Sequence, residues 1–401
     1  MKKIVHIMIA ADYKEGYGYQ ENILPCKHKE LGYDVQIITY NQGGEASYNN
    51  GEGAPLSYIN KDGICVNVLK SRSENLIDRI PKLRAFTNTL CYKTKGLYHK
   101  LTDIHPDIIF VHGVSVMDHL IVLRYVKKNN NTRLYIDNHN DYYNSSIIGL
   151  NNYLSRKIVG GYIGSRVAKV ANKCWAVTPW RVDYMNEVFR VPRNKIELLV
   201  MGGDENLINW DQKNTIRENI RETLHIPLSA FVVATGGKID KAKNIHLLVD
   251  AIKKIENVYL IIFGRYEGEM SNYVDSINCK RIINVGWIPA SESYNYFLAS
   301  DLACFPGTHS VLWEQSCASG VPGIFKDWNG GFNHVDVGGN CILLKEISVD
   351  SLYNNIKALI DDCALYNSYA ENASTKARFM FSYKEIAKKA VEYNLFEGEK
   401  I

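Results

Sequence analysis

Short apolar runs alternate along the chain with segments whose apolar residues recur at helical spacing. Each run is short enough for a buried strand, and each is followed by glycine or polar residues that predict a turn. Strands alternating with helices are typical of a parallel α/β sheet, and here the alternation occurs twice. The predicted strands lie at 4–11, 35–40, 108–112, 134–137, 174–178 and near 195–201, and then at 231–235, 258–263, 282–285, 302–305, just before 325 and at 342–344.

A polar stretch at about 208–219 separates the two series of strands. The chain has 401 residues, which at usual domain sizes corresponds to two or three domains. We therefore predict an α/β protein with two Rossmann-like doubly wound domains, 1–208 and 209–379. Two such domains that face each other create a deep cleft between their strand ends.

The stretch 301–325, DLACFPGTHSVLWEQSCASGVPGIF, predicts a strand, a tight turn, a short helix and a second strand. Ser310 is positioned to cap the helix, Glu314 lies in its early turns, and His309 lies in the preceding loop. Ligands bind at the carboxyl ends of strands in open α/β sheets, and a helix N-terminus there favours anions. The alternative is an ordinary strand–helix–strand unit in which Glu314 is merely solvated.

Two loops of the first half differ from ordinary connections. Gly16 and Gly18 follow the first predicted strand and lead into a helix at about 20–31, which suits either a ligand loop or a turn that needs glycine backbone angles. The segment 41–63 is rich in glycine, asparagine and serine and predicts a long surface loop.

The segment 72–101 interleaves lysine and arginine with leucine, isoleucine and phenylalanine. A basic amphipathic helix of this kind can lie on anionic lipid. It can equally pack against a core and expose its basic face to solvent. From the residues alone, the packed helix is the favoured interpretation.

Composition narrows the class of protein. The hydrophobic fraction of 46% supports a sizeable core, and a formal net charge of +4 is too mild to indicate a nucleic-acid partner. The nine cysteines are scattered without a CxxC pair, which predicts reduced thiols in a cytosolic protein. No run approaches the ~18 apolar residues of a membrane span, so we expect a soluble or peripheral protein.

Candidate chemistry follows the predicted strand ends. His139 comes just after the strand at 134–137, flanked by Asn138 and Asp141, and could orient a sugar or act as an acid or base. Lys238 and Lys243 lie at a predicted strand-to-helix turn beside Gly237, a combination that suits a pyrophosphate. Arg265 offers a third cation at the same edge of the sheet. The alternative for each is an ordinary surface loop.

These motifs resemble the retaining family 4 glycosyltransferases of bacterial surface-polysaccharide synthesis, which have the GT-B fold. The resemblance spans essentially the whole chain and is more specific in the second half. It lies in the glycine turn at 16–18, HPDIIFVHG at 105–113, GGKIDKAKNIHLLVDAI at 236–252, VGWIPASESYNYFLASDLACFPG at 285–307 and WEQSCASGVPGIF at 313–325. The last helix, within 380–401, matches the segment that packs back on the first domain.

The resemblance implies transfer of a sugar from a nucleotide donor, expected to be a UDP-sugar, with retention and without a metal or other cofactor. It implies that Lys238 and Lys243 hold the diphosphate and that His139 touches the donor sugar. Lys238 stands where arginine is more usual, so the charge is kept but bidentate clamping is lost. Further donor contacts are implied for Gly18, Gly237, Arg265, Trp287, Ile288 and Glu314, the last as the ribose ligand.

The loop before Glu314 departs from the family pattern. The first glutamate of the Glu-x7-Glu motif is missing, and Pro306 stands in its place on a shortened loop. We therefore expect Thr308, His309 and Ser310 to line the sugar pocket instead.

The predicted protein is a glycosyltransferase that extends an O-antigen or capsule repeat. Its acceptor is a polyprenyl-diphosphate-linked or oligosaccharide molecule, bound near Gly16, Asn138 and Asp141. With the family in view, segment 72–101 gains weight as a membrane-docking surface, which would place the protein in the cytoplasm, peripheral on the inner face of the cell membrane. Two rivals remain, a GT-B sugar-nucleotide epimerase and a non-catalytic GT-B-like subunit of a glycosyltransferase complex.

Overall fold

The computed structural model describes residues 1–11, 13–15, 18–40, 57–72 and 90–392. The chain divides into two compact units, one formed by Met1–Leu199 with Ala387–Ile401 and the other by Val200–Ile386. The first division therefore falls before the predicted boundary at 208. The chain returns to unit 1 within the last described helix, Tyr383–Ala390, rather than at 380.

Unit 1 is built on a sheet of eight strands in the order β3-β4-β2-β1-β5-β6-β7-β8. Every neighbouring pair is parallel except β3 with β4. The strands are β1 (Lys3–Ile7), β2 (Asp34–Tyr40), β3 (Ser57–Ile59), β4 (Cys65–Leu69), β5 (Ile108–His112), β6 (Arg133–Asn138), β7 (Lys173–Ala176) and β8 (Ile196–Leu198). The described α-helices are α1 (Gln20–Glu30), α2 (Leu97–Ile104), α3 (His119–Lys128), α4 (Gly161–Val167, preceded by helical turns at Leu150–Asn152 and Tyr153–Gly160) and α5 (Pro179–Glu187).

The sequence did not predict β3 and β4. The strand Ser57–Ile59 lies inside the predicted loop at 41–63 and pairs antiparallel with β4. It has three residues and mostly exposed side chains, so no apolar run marks it. Residues 41–56 and 73–89 lie outside the described part of the chain, and most of the basic segment 72–101 is therefore not described.

Unit 2 is built on six parallel strands in the order β11-β10-β9-β12-β13-β14. The strands are β9 (Phe231–Ile239), β10 (Val258–Tyr266), β11 (Ile282–Gly286), β12 (Leu302–Phe305), β13 (Gly323–Lys326) and β14 (Cys341–Leu344). The described α-helices are α6 (Lys213–Thr223), α7 (Ile245–Lys253), α8 (Glu269–Asp275), α9 (Ser293–Ala299), α10 (Leu312–Ala318), α11 (Val349–Asp361) and α12 (Cys363–Asn372). After helical turns at Ala373–Ala377 and Arg378–Met380, α13 (Tyr383–Ala390) begins in unit 2 and ends in unit 1. The prediction of two doubly wound α/β domains is confirmed.

Strand β9 continues beyond the point where the sequence predicts a turn. Gly237 pairs with Gly264 of β10, and Lys238 pairs with Arg265. A Cβ atom built on Gly264 would lie 2.0 Å from the carbonyl oxygen of Gly237, so the two strand ends approach closely because glycine stands there. The glycines thus extend the ladder, and the turn comes later, at the 3-10 turn Lys241–Lys243.

Asp301 ties β12 to its surroundings at the beginning of the strand. Its Oδ2 accepts from the backbone N–H of Val232 at 2.8 Å and from Arg221 Nη2 at 2.8 Å. The Arg221 side chain is fully buried and also donates to the carbonyl oxygens of Ala299 and Ala230. A buried guanidinium that donates to a carboxylate and to several carbonyl oxygens has its hydrogen-bonding groups satisfied, and these bonds hold the beginning of β12 in place.

Two further observations concern the cysteines and the helices. All nine cysteines lie in the described part of the chain, and each is a free thiol. None of the described helices combines the length and the apolar character that a membrane crossing requires.

Candidate active site

The loop that follows β12 lies directly on the turn that follows β9. The backbone N–H of Thr308 donates to the carbonyl of Ala242 at 3.2 Å, and Asn244 Nδ2 donates to the carbonyl of Pro306 at 3.0 Å. A Cβ atom on Gly307 would lie 2.3 Å from Lys243 Cα. Glycine at position 307 therefore allows the loop after β12 to contact the turn after β9. We call Pro306–Ser310 the donor loop, after the sequence prediction of a donor-sugar pocket at this position.

Gly307→Ala is expected to separate the donor loop from the turn at Lys241–Lys243, because the added methyl group meets backbone atoms that cannot move aside as a side chain can. The expected loss of folding free energy is about 1–3 kcal/mol, the usual range for overpacking. Chemical denaturation followed by intrinsic tryptophan fluorescence measures it. Unchanged stability would show that loop and turn are not in contact.

Lys243 is held beneath the donor loop. Its Nζ donates to the carbonyl oxygen of Thr308 at 2.6 Å and lies 3.4 Å from that of His309. Burial lowers the pKa of Lys243 to about 8, although the nearby Asp240 acts in the opposite direction. An ammonium group has three N–H donors, so the lysine can bind these carbonyls and still donate to a ligand.

Lys238 and Arg265 have a different environment. Both are exposed at paired positions of β9 and β10, and Lys238 forms a salt bridge of 2.9 Å with Glu267. Lys238 and Lys243 both lie in unit 2, but Lys238 belongs to an exposed strand end rather than to a turn. Trp287 and Ile288 directly follow β11, where Trp287 is 72% exposed and Ile288 is half-buried.

Glu314 is fully buried at the beginning of α10, so the interpretation of a solvated carboxylate is wrong. Its Oε1 accepts from His309 Nε2 at 2.8 Å and from His334 Nε2 at 2.9 Å. Burial alone would raise the pKa of Glu314, but the two imidazoles outweigh it and hold the pKa well below its usual range. In the described part of the chain, Glu314 Oε2 is buried without a hydrogen-bond partner.

The donor loop thus differs from the prediction in two details. His309 is stacked on Phe332, with ring centroids 4.1 Å apart, and its side chain is 8% exposed, so it supports Glu314 from inside the protein. Ser310 does not cap the helix through its side chain: the N-cap residue is Val311, and it is the Ser310 carbonyl that accepts from the N–H of Trp313.

His334 is the residue of this cluster that the sequence did not single out. It lies in the 3-10 turn Asn333–Val335, and its link to Glu314 depends on how separate segments fold together. One ligand atom from each of His309, Glu314 and His334 lies within 4.8 Å of the others, so the three could hold a metal ion. Here both imidazoles are hydrogen-bonded to Glu314 Oε1. Metal independence stays a prediction.

In unit 1, His139 follows β6 and faces carboxylates. Its Nε2 lies 3.4 Å from Asp137 Oδ2 and 4.0 Å from Glu21 Oε1, and 22% of its side chain is exposed. Burial alone would lower the pKa of His139, but Glu21 and Asp137 outweigh burial and Arg181, so the pKa is raised. A histidine that favours its charged form at the carboxyl end of a strand can donate to an oxygen-rich ligand.

Asn138 and Asp141, two of the residues predicted to contact the acceptor, form hydrogen bonds within the protein. Asn138 is fully buried, and its Nδ2 donates to the carbonyls of Asn140 and Arg181. Asp141 accepts from Arg181 Nε at 3.1 Å and from the backbone of the turn that it begins. Neither side chain is open to an acceptor in this arrangement. Gly18 is exposed, and Gly16 lies outside the described residues.

Residues 216–376 match the family of group 1 glycosyl transferases. The match lies within unit 2 and includes Lys238, Lys243 and Glu314. It covers the strand ends and the donor loop described above.

Relatives and a solved structure extend the comparison. Over 278 residues the chain is 23% identical to an N-acetylgalactosamine-N,N'-diacetylbacillosaminyl-diphospho-undecaprenol 4-alpha-N-acetylgalactosaminyltransferase of Campylobacter jejuni, covering 61% of this chain and 73% of that protein. Over 173 residues it is 27% identical to the lipopolysaccharide core biosynthesis glycosyltransferase LpsD of Rhizobium meliloti, covering 41% of this chain and 50% of that protein. The crystal structure of Anabaena HepE in complex with UDP and glucose is similar with a TM-score of 0.60 and 16% identity, covering 98% of this chain and 99% of that one.

The fold is therefore the two-domain GT-B α/β fold, as predicted. The group 1 match and the names of the relatives support a glycosyltransferase.

Proposed function

We propose that this protein is a retaining, metal-independent glycosyltransferase. It moves a sugar from a nucleotide donor, a UDP-sugar, to a lipid-linked or saccharide acceptor in the synthesis of a surface polysaccharide such as O-antigen or capsule. The group 1 match over 216–376 supports the transfer reaction, and the fold shared with a UDP-bound neighbour supports the choice of donor.

The observation that carries the proposal is the position of Lys243. Its ammonium group lies where the donor loop meets the turn after β9 and is bonded to a loop carbonyl at 2.6 Å. The diphosphate of a nucleotide-sugar gains negative charge as the sugar leaves, and a cation fixed beforehand stabilises that charge without reorganisation. Lys238 and Arg265 lie at paired positions near the ends of β9 and β10 in the same unit, and they are the further cations proposed for the donor, with Lys238 salt-bridged to Glu267 before a donor binds.

Glu314 is the proposed ribose ligand. Its Oε1 is occupied by two imidazoles, so the ribose hydroxyl would donate to Oε2, which is buried and without a partner in the described structure. An unpaired buried carboxylate oxygen is costly, and a ligand hydroxyl would remove that cost. His309 then acts by holding Glu314 in place, rather than by touching the sugar.

The named relatives support the proposed class of acceptor. One named relative acts on an undecaprenol-diphosphate-linked substrate and the other belongs to lipopolysaccharide core synthesis, which supports a lipid-linked acceptor here. His139, with its raised pKa and its position at the end of β6, is the proposed contact to the donor sugar. The basic segment 72–101 is the proposed contact to an anionic membrane surface, with the protein peripheral on the inner face of the cell membrane.

A thermal-shift screen against nucleotide-sugars tests the donor. A ligand at 100 times its dissociation constant stabilises the fold by about 2.7 kcal/mol, so the true donor should stand out by several degrees. With that donor and a polyprenyl-diphosphate saccharide, we expect release of the nucleotide and an α-linked product, with turnover unaffected by EDTA.

The same assay distinguishes the rival functions. A non-catalytic subunit would release no nucleotide from any nucleotide-sugar that it binds. An epimerase would convert or hydrolyse the donor without an acceptor. Loss of turnover in EDTA, restored by a divalent cation, would contradict the metal-independent mechanism and point to the cluster of His309, Glu314 and His334.

A further inference from the structure

Three histidines form a buried hydrogen-bonded chain in unit 1. They come from separate elements: His28 from α1, His6 from β1 and His112 from the end of β5. All three are essentially inaccessible to solvent. The chain begins at the carbonyl of Ala387 in α13 and ends at the carboxylate of Asp137 in β6. We call it the histidine chain.

Its four contacts have hydrogen-bond lengths. His28 Nε2 lies 2.9 Å from Ala387 O, and His28 Nδ1 lies 2.9 Å from His6 Nε2. His6 Nδ1 lies 3.0 Å from His112 Nε2, and His112 Nδ1 lies 2.7 Å from Asp137 Oδ2. Every ring nitrogen of the chain therefore takes part in one contact.

The two ends determine how many protons the chain holds. A carbonyl oxygen and an ionised carboxylate only accept, and each N···N contact needs one proton, so the four contacts need four protons. Three neutral imidazoles carry three. If each ring donates toward Ala387, the last contact to Asp137 lacks a proton. If each ring donates toward Asp137, the first contact lacks one. The three histidines and Asp137 must therefore hold one proton more than three neutral imidazoles carry. The positive charge of that proton cancels the negative charge of the Asp137 carboxylate, so the group has no net charge.

The surroundings favour placing the extra proton on His112. The second oxygen of Asp137 accepts the backbone N–H of Gly113 at 3.0 Å, which stabilises the ionised carboxylate. Burial lowers the pKa of both His6 and His28, so these rings favour the neutral form. Burial would raise the pKa of Asp137, but His112 and His139 outweigh it and the pKa is lowered.

Asp137 also faces His139, whose other charged neighbours are Glu21 of α1 and Arg181 of α5. We propose that His28, His6 and His112 are positioning residues that hold one shared proton against Asp137 and thereby set the charge that Asp137 presents to His139. The part of this proposal that concerns sugar transfer rests on the proposed function of His139. The proton count rests only on the four hydrogen-bond contacts and holds whatever the function of His139 is.

Nitrogen-15 spectroscopy of the histidine rings in the full-length protein tests the count directly. At neutral pH we expect His28 and His6 to be neutral with the proton on Nε2, and His112 to carry protons on both nitrogens. We expect neither His6 nor His28 to titrate near the ordinary histidine pKa of about 6.5, because burial lowers the pKa of both rings. A neutral His112 together with an ionised Asp137 would overturn the proposal, as would ordinary titration of His6.

Two variants at one position test the link to His139. In His28→Leu the demand of the Ala387 carbonyl is removed, so His6 and His112 can reverse their tautomers and lose the extra proton. The negative charge of Asp137 is then no longer neutralised by a charged His112, so it stabilises the charged form of His139 more strongly. The pKa of His139 should therefore move upward, and the acid limb of the pH profile of kcat/KM should shift the same way. In His28→Gln the amide can donate to Ala387 and accept from His6, so the pKa of His139 should stay as in the wild type.

The outcomes separate the proposal from the proposed function. An unchanged His139 pKa in a folded His28→Leu protein would overturn the proposed coupling. If His28→Leu does not fold, the wild-type spectrum still decides the proton count. A protein that shows the expected titration shifts but transfers no sugar would refute the glycosyltransferase function and leave the histidine chain standing.

Discussion

Lys243→Ala is expected to lower sugar transfer by about 10²–10³-fold, the usual cost of removing one preorganised group that stabilises transition-state charge. The ammonium group is fixed by the donor loop before any donor binds, and alanine supplies no charge there. Initial-rate measurement of nucleotide release gives the effect. Lys241→Ala is the matched control, because Lys241 lies in the same turn but is exposed, and it should remain within about twofold of the wild type.

The same lysine predicts an alkaline limit to activity. With its pKa lowered to about 8, Lys243 is charged below that pH and neutral above it. The kcat/KM of the free enzyme should therefore fall as the pH rises through about 8. Lys243→Arg keeps its charge above pH 12 and should carry whatever activity it retains to higher pH. Full turnover in Lys243→Ala would show that the donor site has been assigned to the wrong residues.

Glu314→Ala is expected to destabilise unit 2 by about 3–5 kcal/mol, as when one partner of a buried charged network is removed. His309 and His334 would each lose the acceptor for a ring N–H, in a site that gives them little access to water. Denaturant titration should show the loss, with the buried Trp313 next in sequence as a natural fluorescence probe. Donor binding should be lost as well.

Glu314→Gln is the matched variant, since its amide oxygen can still accept from both imidazoles while the charge is gone. We expect a smaller loss of stability than in Glu314→Ala. The depressed pKa of Glu314 also predicts that wild-type stability from this group is present above pH ~4.3 and is lost as the pH falls below it. Equal stability of wild type and Glu314→Ala across this range would refute the buried network.

Much of the architecture could be predicted because buried parallel strands leave a local signature. The runs at 108–111 and 302–305 are apolar without interruption, as a strand covered on both faces requires, and the strands Ile108–His112 and Leu302–Phe305 have the predicted bounds. The strand Ser57–Ile59 was missed because an exposed edge strand needs no apolar residues. The turn predicted at Gly236–Lys238 proved to be strand, because glycine also permits close strand approach.

For the candidate site, sequence alone identified which residues can carry charge, and it placed Lys243, Glu314 and His139 after strand ends, where the structure has them. It could not say how those side chains are used. Asn138 and Asp141 are turned inward, His309 supports Glu314, and His334 joins it from a distant segment. Likewise, the histidine chain needs α1, β1, β5, β6 and α13 to come together. Local patterns fix secondary structure and chemical capacity through short-range sterics and solvation, whereas hydrogen-bond partners between distant residues exist only once the chain has folded.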